Sequence, residues 1–123
     1  MKLLDSSAWV EYFKGSEKGL KVKELLQERT ATSAISLAEL AFWFEKEGQD
    51  FIPALKNIQK NNVIISVEEE ILISSGKLCF RLRKIRNKIG IIDCIIYSTA
   101  VTHGLTLVST DSDFQGLPSV EIL

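Results

Sequence analysis

The sequence predicts an α/β protein, a three-layer α/β/α sandwich around a short, mostly parallel sheet. Three observations point there. Short apolar runs of strand length (KLL, TATSA, VIIS, LTLVS, VEIL) alternate with longer segments whose apolar residues recur at helical spacing. Glycine and proline are few and mostly fall at element ends: Gly15, Gly19, Gly48, Pro53, Gly90, Gly104, Gly116 and Pro118. No repeat, low-complexity run or linker interrupts the alternation, so residues 1–123 read as one domain.

The elements follow in order. Residues 2–4 form a first strand. Residues 6–14 form a helix with Trp9, Tyr12 and Phe13 at helical spacing, and 17–28 an amphipathic helix carrying Leu20, Leu25 and Leu26. TATSA is the second strand. Helices follow over 35–47 and 51–60. VIIS (63–66) is a buried-type strand, and a helix runs from Glu68 to Ile85. Ile91 to His103 is a further helix, closed by Gly104 as a C-cap. LTLVS and VEIL supply the last two strands. Short strands of this kind suit a central sheet covered on both faces.

Bulk properties exclude several function classes. The chain has 46% hydrophobic and 25% charged residues, an ordinary globular balance. At 123 residues it buries roughly two thirds of its unfolded surface. No stretch reaches the ~18 uninterrupted apolar residues of a membrane span. Asp5 interrupts the N-terminal apolar run, so no signal peptide is expected. Cys79 and Cys94 lie in apolar surroundings without metal-ligand spacing and read as buried free thiols in a reducing cytoplasm. Neither G-x-S-x-G nor a GK[ST] phosphate loop is present, which argues against a serine hydrolase and an NTPase.

Net charge is −1, but its distribution is uneven. Between Glu70 and Asp93 there is no acid, and the window holds Lys77, Arg81, Arg83, Lys84, Arg86 and Lys88. It reads as a solvated helix face or as a patch for phosphate.

The acids are more specific. Asp5 follows the first strand. Glu39 sits near the start of the helix after TATSA. Asp93 opens the helix GIIDCIIYSTAVTHG, and Asp111 and Asp113 follow LTLVS. Each has a local explanation. Asp5 or Ser6 would cap a helix, Ser36-Leu37-Ala38-Glu39 has capping-box spacing, Asp93 would cap its own helix, and Asp111 a short turn. Jointly these explanations weaken. Helix starts in a parallel sheet lie on one side, where ligands bind, and the carboxylates would crowd there. A divalent cation resolves such repulsion, and oxygen ligands without Cys or His favour magnesium or manganese. The only histidine, His103, reads as a helix C-terminal cap. A metal held by carboxylates on an open shelf suits phosphodiester hydrolysis without a His base or Ser nucleophile.

The blocks LLDSSAWVEYF, SAISLAEL, GIIDCIIYSTAVTHGLTLVSTDSDF and the closing strand, in this order and spacing, resemble a PIN domain, specifically a VapC-type toxin ribonuclease. The resemblance covers essentially the whole chain. It implies that Asp5, Glu39, Asp93 and Asp111 form the acidic quartet holding one or two magnesium or manganese ions. Asp113 would be an additional acid near the metal. Ser6 and Ser7 would support Asp5. Ser109 stands where the family usually has Thr, keeping the hydroxyl and losing the methyl. Tyr97, one turn after Asp93, reads as a packing residue. The resemblance further implies hydrolysis of single-stranded or loop RNA by metal-activated water, leaving 5′-phosphate and 3′-hydroxyl ends. Arg81, Arg83, Lys84, Arg86 and Lys88 would contact the RNA backbone. A VapB-type antitoxin would cover the cleft, and a homodimer is the family's usual state. The consecutive aromatics Phe42, Trp43 and Phe44 face different sides of one helix, which suits a partner surface.

The alternatives are a PIN-type nuclease that processes RNA or cuts DNA without being a toxin, and a non-catalytic binding domain of the same fold. A receiver or haloacid-dehalogenase site fits poorly. Serines follow Asp5, and the only D-x-D, Asp111-Ser112-Asp113, lies ten residues from the end of the chain.

Overall fold

A computed structural model describes all 123 residues. The order is β1 (Lys2–Leu4), α1 (Ser6–Lys14), α2 (Glu17–Leu25), β2 (Thr30–Ser33), α3 (Ala34–Lys46), α4 (Ile52–Asn61), β3 (Asn62–Ile65), α5 (Glu69–Leu82), α6 (Ile91–Thr102), β4 (Thr106–Ser109), a 3-10 turn (Ser112–Phe114) and β5 (Val120–Ile122). The five strands lie in the order β3-β2-β1-β4-β5, and every pairing is parallel. The sheet is therefore wholly parallel rather than mostly so.

Strand alternation sorts the core into two layers. Leu3 and Leu107 face Cys79, Leu82, Ile96 and Ala100 of α5 and α6, and Phe114 joins them. Leu4 and Val108, the next residue on each strand, face Ala8, Trp9, Val22, Leu40 and Ile58 on the opposite side. This is the three-layer sandwich. Trp9 is fully buried and donates its indole N–H to Thr32 Oγ1 at 2.9 Å, so the largest core side chain leaves no polar atom unpaired. Helices α1 and α2 pack so closely that a Cβ on Gly19 would collide with the Glu11 carbonyl oxygen.

Beyond one-residue shifts, three features differ from the expectation. Helix α2 stops at Leu25 and α5 at Leu82, each three residues early, because turn hydrogen bonds replace the helical ladder. In the second case Lys84 N–H bonds Arg81 O and Ile85 N–H bonds Leu82 O. The third is the 3-10 turn after β4, which periodicity does not announce because it is a single turn. Cys79 and Cys94 are buried and free. His103 occupies the C-cap of α6, its Nδ1 2.9 Å from the Thr99 carbonyl. Tyr97 packs in the core and donates its hydroxyl to Pro118 O at 2.9 Å.

Candidate active site

The parallel sheet puts the carboxyl ends of β1, β2 and β4 on one edge, and the acids gather there. Asp5 extends the β1 ladder, its N–H donating to Val108 O at 2.9 Å, and it also caps α1, accepting from Ser6 N–H at 2.9 Å. The cap and the site share one residue.

Asp5 is 3% exposed, and its carboxylate is met by donors from both ends of the chain. Oδ2 accepts from Ser7 Oγ at 2.8 Å and from Ser109 Oγ at 2.7 Å. The two hydroxyls are fixed as donors because each is itself an acceptor. Thr110 N–H donates to Ser7 Oγ at 3.0 Å, and Asp111 N–H to Ser109 Oγ at 3.0 Å. Their protons are therefore free for Asp5, and the short Ser7–Ser109 approach of 3.1 Å is a consequence of sharing one oxygen. Ser6 Oγ serves a second acid, donating to Glu39 Oε1 at 2.8 Å and standing 3.4 Å from Asp5 Oδ1. Ser6 thus stands between two carboxylates that are 34 residues apart in sequence.

Glu39 reaches this place from the second turn of α3. The capping box expected of Ser36 and Glu39 does not form. Helix α3 begins at Ala34 with Ser33 as its N-cap, so Ser36 is already inside the first turn and its buried hydroxyl has no partner. Glu39 turns instead to Ser6.

Asp93, Asp111 and Asp113 form the tightest group. Each offers one carboxylate oxygen, and the three atoms all lie within 4.8 Å of one another. Asp93 accepts from Gly90 N–H at 3.3 Å, and Asp111 Oδ1 from Asp113 N–H at 2.9 Å, so local caps orient both. No cationic side chain pairs with any of them. The two ion pairs of the molecule, Lys2–Glu121 and Lys14–Glu11, involve none of these acids.

The electrostatics follow from this crowding. Burial pushes the Asp5 carboxyl above its ordinary range, opposed by the hydrogen bonds from Ser109, Ser7 and Ser6, with the nearby Asp111 adding to the rise. Burial also raises Glu39, opposed by Ser6 and reinforced by Asp5, Asp93 and Asp111. Asp93 is pushed up to about 6, by burial first, with the Gly90 N–H opposing and Asp111, Asp5 and Asp113 reinforcing. Clustered carboxylates without a counter-charge are costly, and a divalent cation removes the cost. The donor set is all oxygen, since the neighbouring Cys94 is turned into the core. It fits a hard cation.

A groove of about 520 Å³ leaves the acids between α1 and α3, from Ser6 and Glu39 past Val10 and Ile92 to Phe42, Trp43 and Lys46. The three aromatics diverge. Phe44 is buried, Trp43 half-buried, and Phe42 72% exposed on the groove.

The basic window splits as well. Arg81, Arg83, Lys84 and Lys88 are exposed and Arg86 is half-buried, and Lys84 Nζ lies 4.8 Å over the Phe80 ring. Arg83 and Arg86 make hydrogen bonds to the backbone, on Ile89 O and Asp113 O. Their positions in the sequence did not distinguish them from the rest of the window.

A family-wide pattern, that of the PIN domain, matches residues 2–119. This chain is a PIN-domain protein. Among curated relatives of the PIN domain it is 30% identical to VapC ribonuclease Mb1587 of Mycobacterium bovis and to ribonuclease VapC11 of Mycobacterium tuberculosis, over 94% of this chain and 90% of each relative. The fold is that of VapC20 of Mycobacterium tuberculosis, described as a sarcin-ricin loop cleaving toxin, at a TM-score of 0.78 with 14% identity, covering 99% of this chain and 98% of that one. It is equally that of VapBC2 from Rickettsia felis bound to a promoter DNA fragment, at 0.77 with 23% identity, covering 99% and 98%. A PIN-domain chain with VapC ribonucleases as relatives along its length is a nuclease.

Proposed function

We propose that this chain is the toxin of a toxin–antitoxin pair, a cytoplasmic endoribonuclease that depends on magnesium or manganese. The observation that carries the reading is the cluster of Asp93, Asp111 and Asp113, three carboxylates within 4.8 Å that no Lys or Arg side chain pairs with, in a chain similar to VapC ribonucleases along its length. These three, with Asp5 and Glu39 beside them, would hold one or two ions. A divalent ion bound there supplies Lewis acidity, lowering the pKa of water and neutralising charge on the scissile phosphate. The chain's own residues do the rest. Ser7 and Ser109 fix the Asp5 carboxyl in place and oppose the rise that burial imposes on it. Ser6 holds Glu39 at the mouth of the groove. Gly90 N–H keeps Asp93 aimed at the cluster. Exposed Arg81, Lys84 and Lys88 give the RNA backbone a positive track and set affinity rather than sequence preference.

The partner would be a VapB-type antitoxin lying along the groove toward Phe42, an exposed aromatic that a monomer gains nothing by displaying. A homodimer is the expected assembly.

The test is cleavage of a panel of transfer, ribosomal and messenger RNAs with mapped ends. Cutting should require magnesium or manganese, stop on chelation and leave 5′-phosphates. It should vanish in Asp93→Asn and in Asp5→Asn, since Asn caps α1 about as well as Asp. Undiminished cleavage by either folded variant overturns the assigned site.

A further inference from the structure

Arg86 lies in the connection between α5 and α6 and reads, by sequence, as one more phosphate contact. Its surroundings say otherwise. Nη1 donates to the Asp113 carbonyl at 3.0 Å, across 27 residues of chain. Nε is buried and has no partner. Nη2 stands 3.2 Å from where a Cβ on Gly116 would be, and Gly116 has φ +87°. An arginine that serves phosphate presents its fork to solvent. This one inserts beneath the turn from Asp111 to Gly116 and leaves an N–H unpaired to stay there. Its own backbone is pinned on both sides, N–H to Leu82 O at 2.7 Å and carbonyl accepting from Ile89 N–H at 3.2 Å. Arg83 closes the same connection by donating from Nε to Ile89 O at 2.9 Å, and the next residue, Gly90, donates to Asp93.

We infer that Arg86 is a positioning residue that ties the turn bearing Asp111 and Asp113 to the connection leading into Asp93, so that carboxylates from two stretches of chain stay within one ion's reach. The inference rests on reading that cluster as a metal centre. Its physical basis is that three like charges repel, and the local caps orient each acid only within its own segment. Arg86 is the side chain that joins the two segments by a hydrogen bond. Lysine would not replace it, because a compact ammonium on a flexible stem lacks the rigid fork that fills the space under Gly116.

The experiment compares wild type with Arg86→Lys in three measurements. Amide hydrogen exchange of the metal-free protein reads the tether without reference to any ion. Exchange across residues 112–117 should rise in the variant while α1 and β1 stay as they are. Calorimetric titration with manganese should show affinity weakened about 10-fold, as for loss of a residue behind the metal ligands. RNA cleavage should lose kcat at sub-saturating manganese, with KM and the salt dependence of RNA binding unchanged. Unchanged exchange and manganese affinity, with raised KM and a shallower salt slope, would make Arg86 a phosphate contact and overturn the inference. Should Arg86→Lys not fold, Arg86→Met, which keeps the stem and removes the donor to the Asp113 carbonyl, carries the same comparison. If wild type itself takes up no manganese, the metal-centre reading falls and the inference with it. If wild type binds and the variants bind equally, only the inference falls.

Discussion

Replacing Asp93 by Asn removes a charge that the metal-free fold holds at a cost. The carboxyl stands at about 6 against an ordinary 3.8, chiefly through burial. Undiluted, a displacement of that size is about 3 kcal/mol of preference for the neutral form. Asp93 is only half-buried, so solvent screening brings the usable figure to about 1 kcal/mol. The sign follows from the direction. A carboxyl raised in the folded state favours folding while protonated, and that advantage is lost as pH rises from 3.8 through about 6. At pH 7 wild type has lost it and the Asn variant, which carries no charge, has not. The amide oxygen can still accept from Gly90 N–H, so the local anchor survives. For 123 residues, 1 kcal/mol is about 4 °C in Tm. Calorimetry in a chelator should therefore find Asp93→Asn about 4 °C more stable than wild type at pH 7, with the gap closing toward pH 4. Adding manganese should reverse the order, since saturation at ~100 times Kd stabilises wild type by about 2.7 kcal/mol and the variant by much less. A variant that melts below wild type in chelator at pH 7 would refute the reasoning, because Asp93 would then be a structural anchor rather than a strained ligand.

Other perturbations probe separate parts of the site. Ser7→Ala deprives Asp5 Oδ2 of a donor and orphans Thr110 N–H, which should cost about 2–3 kcal/mol and lower Tm by about 8–12 °C; a drop under 2 °C would show that the hydroxyl is dispensable. Manganese affinity should weaken on acidification through about pH 6 as a proton competes for metal-free Asp93, and an affinity that stays flat between pH 5 and 8 would remove Asp93 from the ion's ligands. Lys84→Gln should raise KM and reduce the salt slope of RNA binding by about 0.7, whereas an unchanged slope would place the RNA elsewhere. Phe42→Asp should leave Tm nearly unchanged, given 72% exposure, yet weaken neutralisation by the cognate antitoxin in a co-expression growth assay; full neutralisation would move the partner off this groove.

What the sequence determined by itself was local and periodic. Apolar alternation placed Leu3 and Leu4 on opposite faces of a strand, helical spacing marked Trp9, and the acids stood at the ends of apolar runs, because each of these signals is written by immediate neighbours. From parallel strands it followed that Asp5, Glu39, Asp93 and Asp111 would share an edge. Only the tertiary structure decided which donor serves which acid. Ser36-x-x-Glu39 has capping-box spacing, but α3 begins two residues before Ser36, and Glu39 is held by Ser6 from another element. Ser7 and Ser109, 102 residues apart, meet on one oxygen of Asp5 because β1 and β4 are adjacent. Arg86 looked like its neighbours in a basic run until the fold turned it under Asp113. Composition records a residue's charge and polarity. Whether that charge meets water, a carboxylate or a buried carbonyl depends on strand order, and strand order is fixed by contacts between residues far apart in the chain.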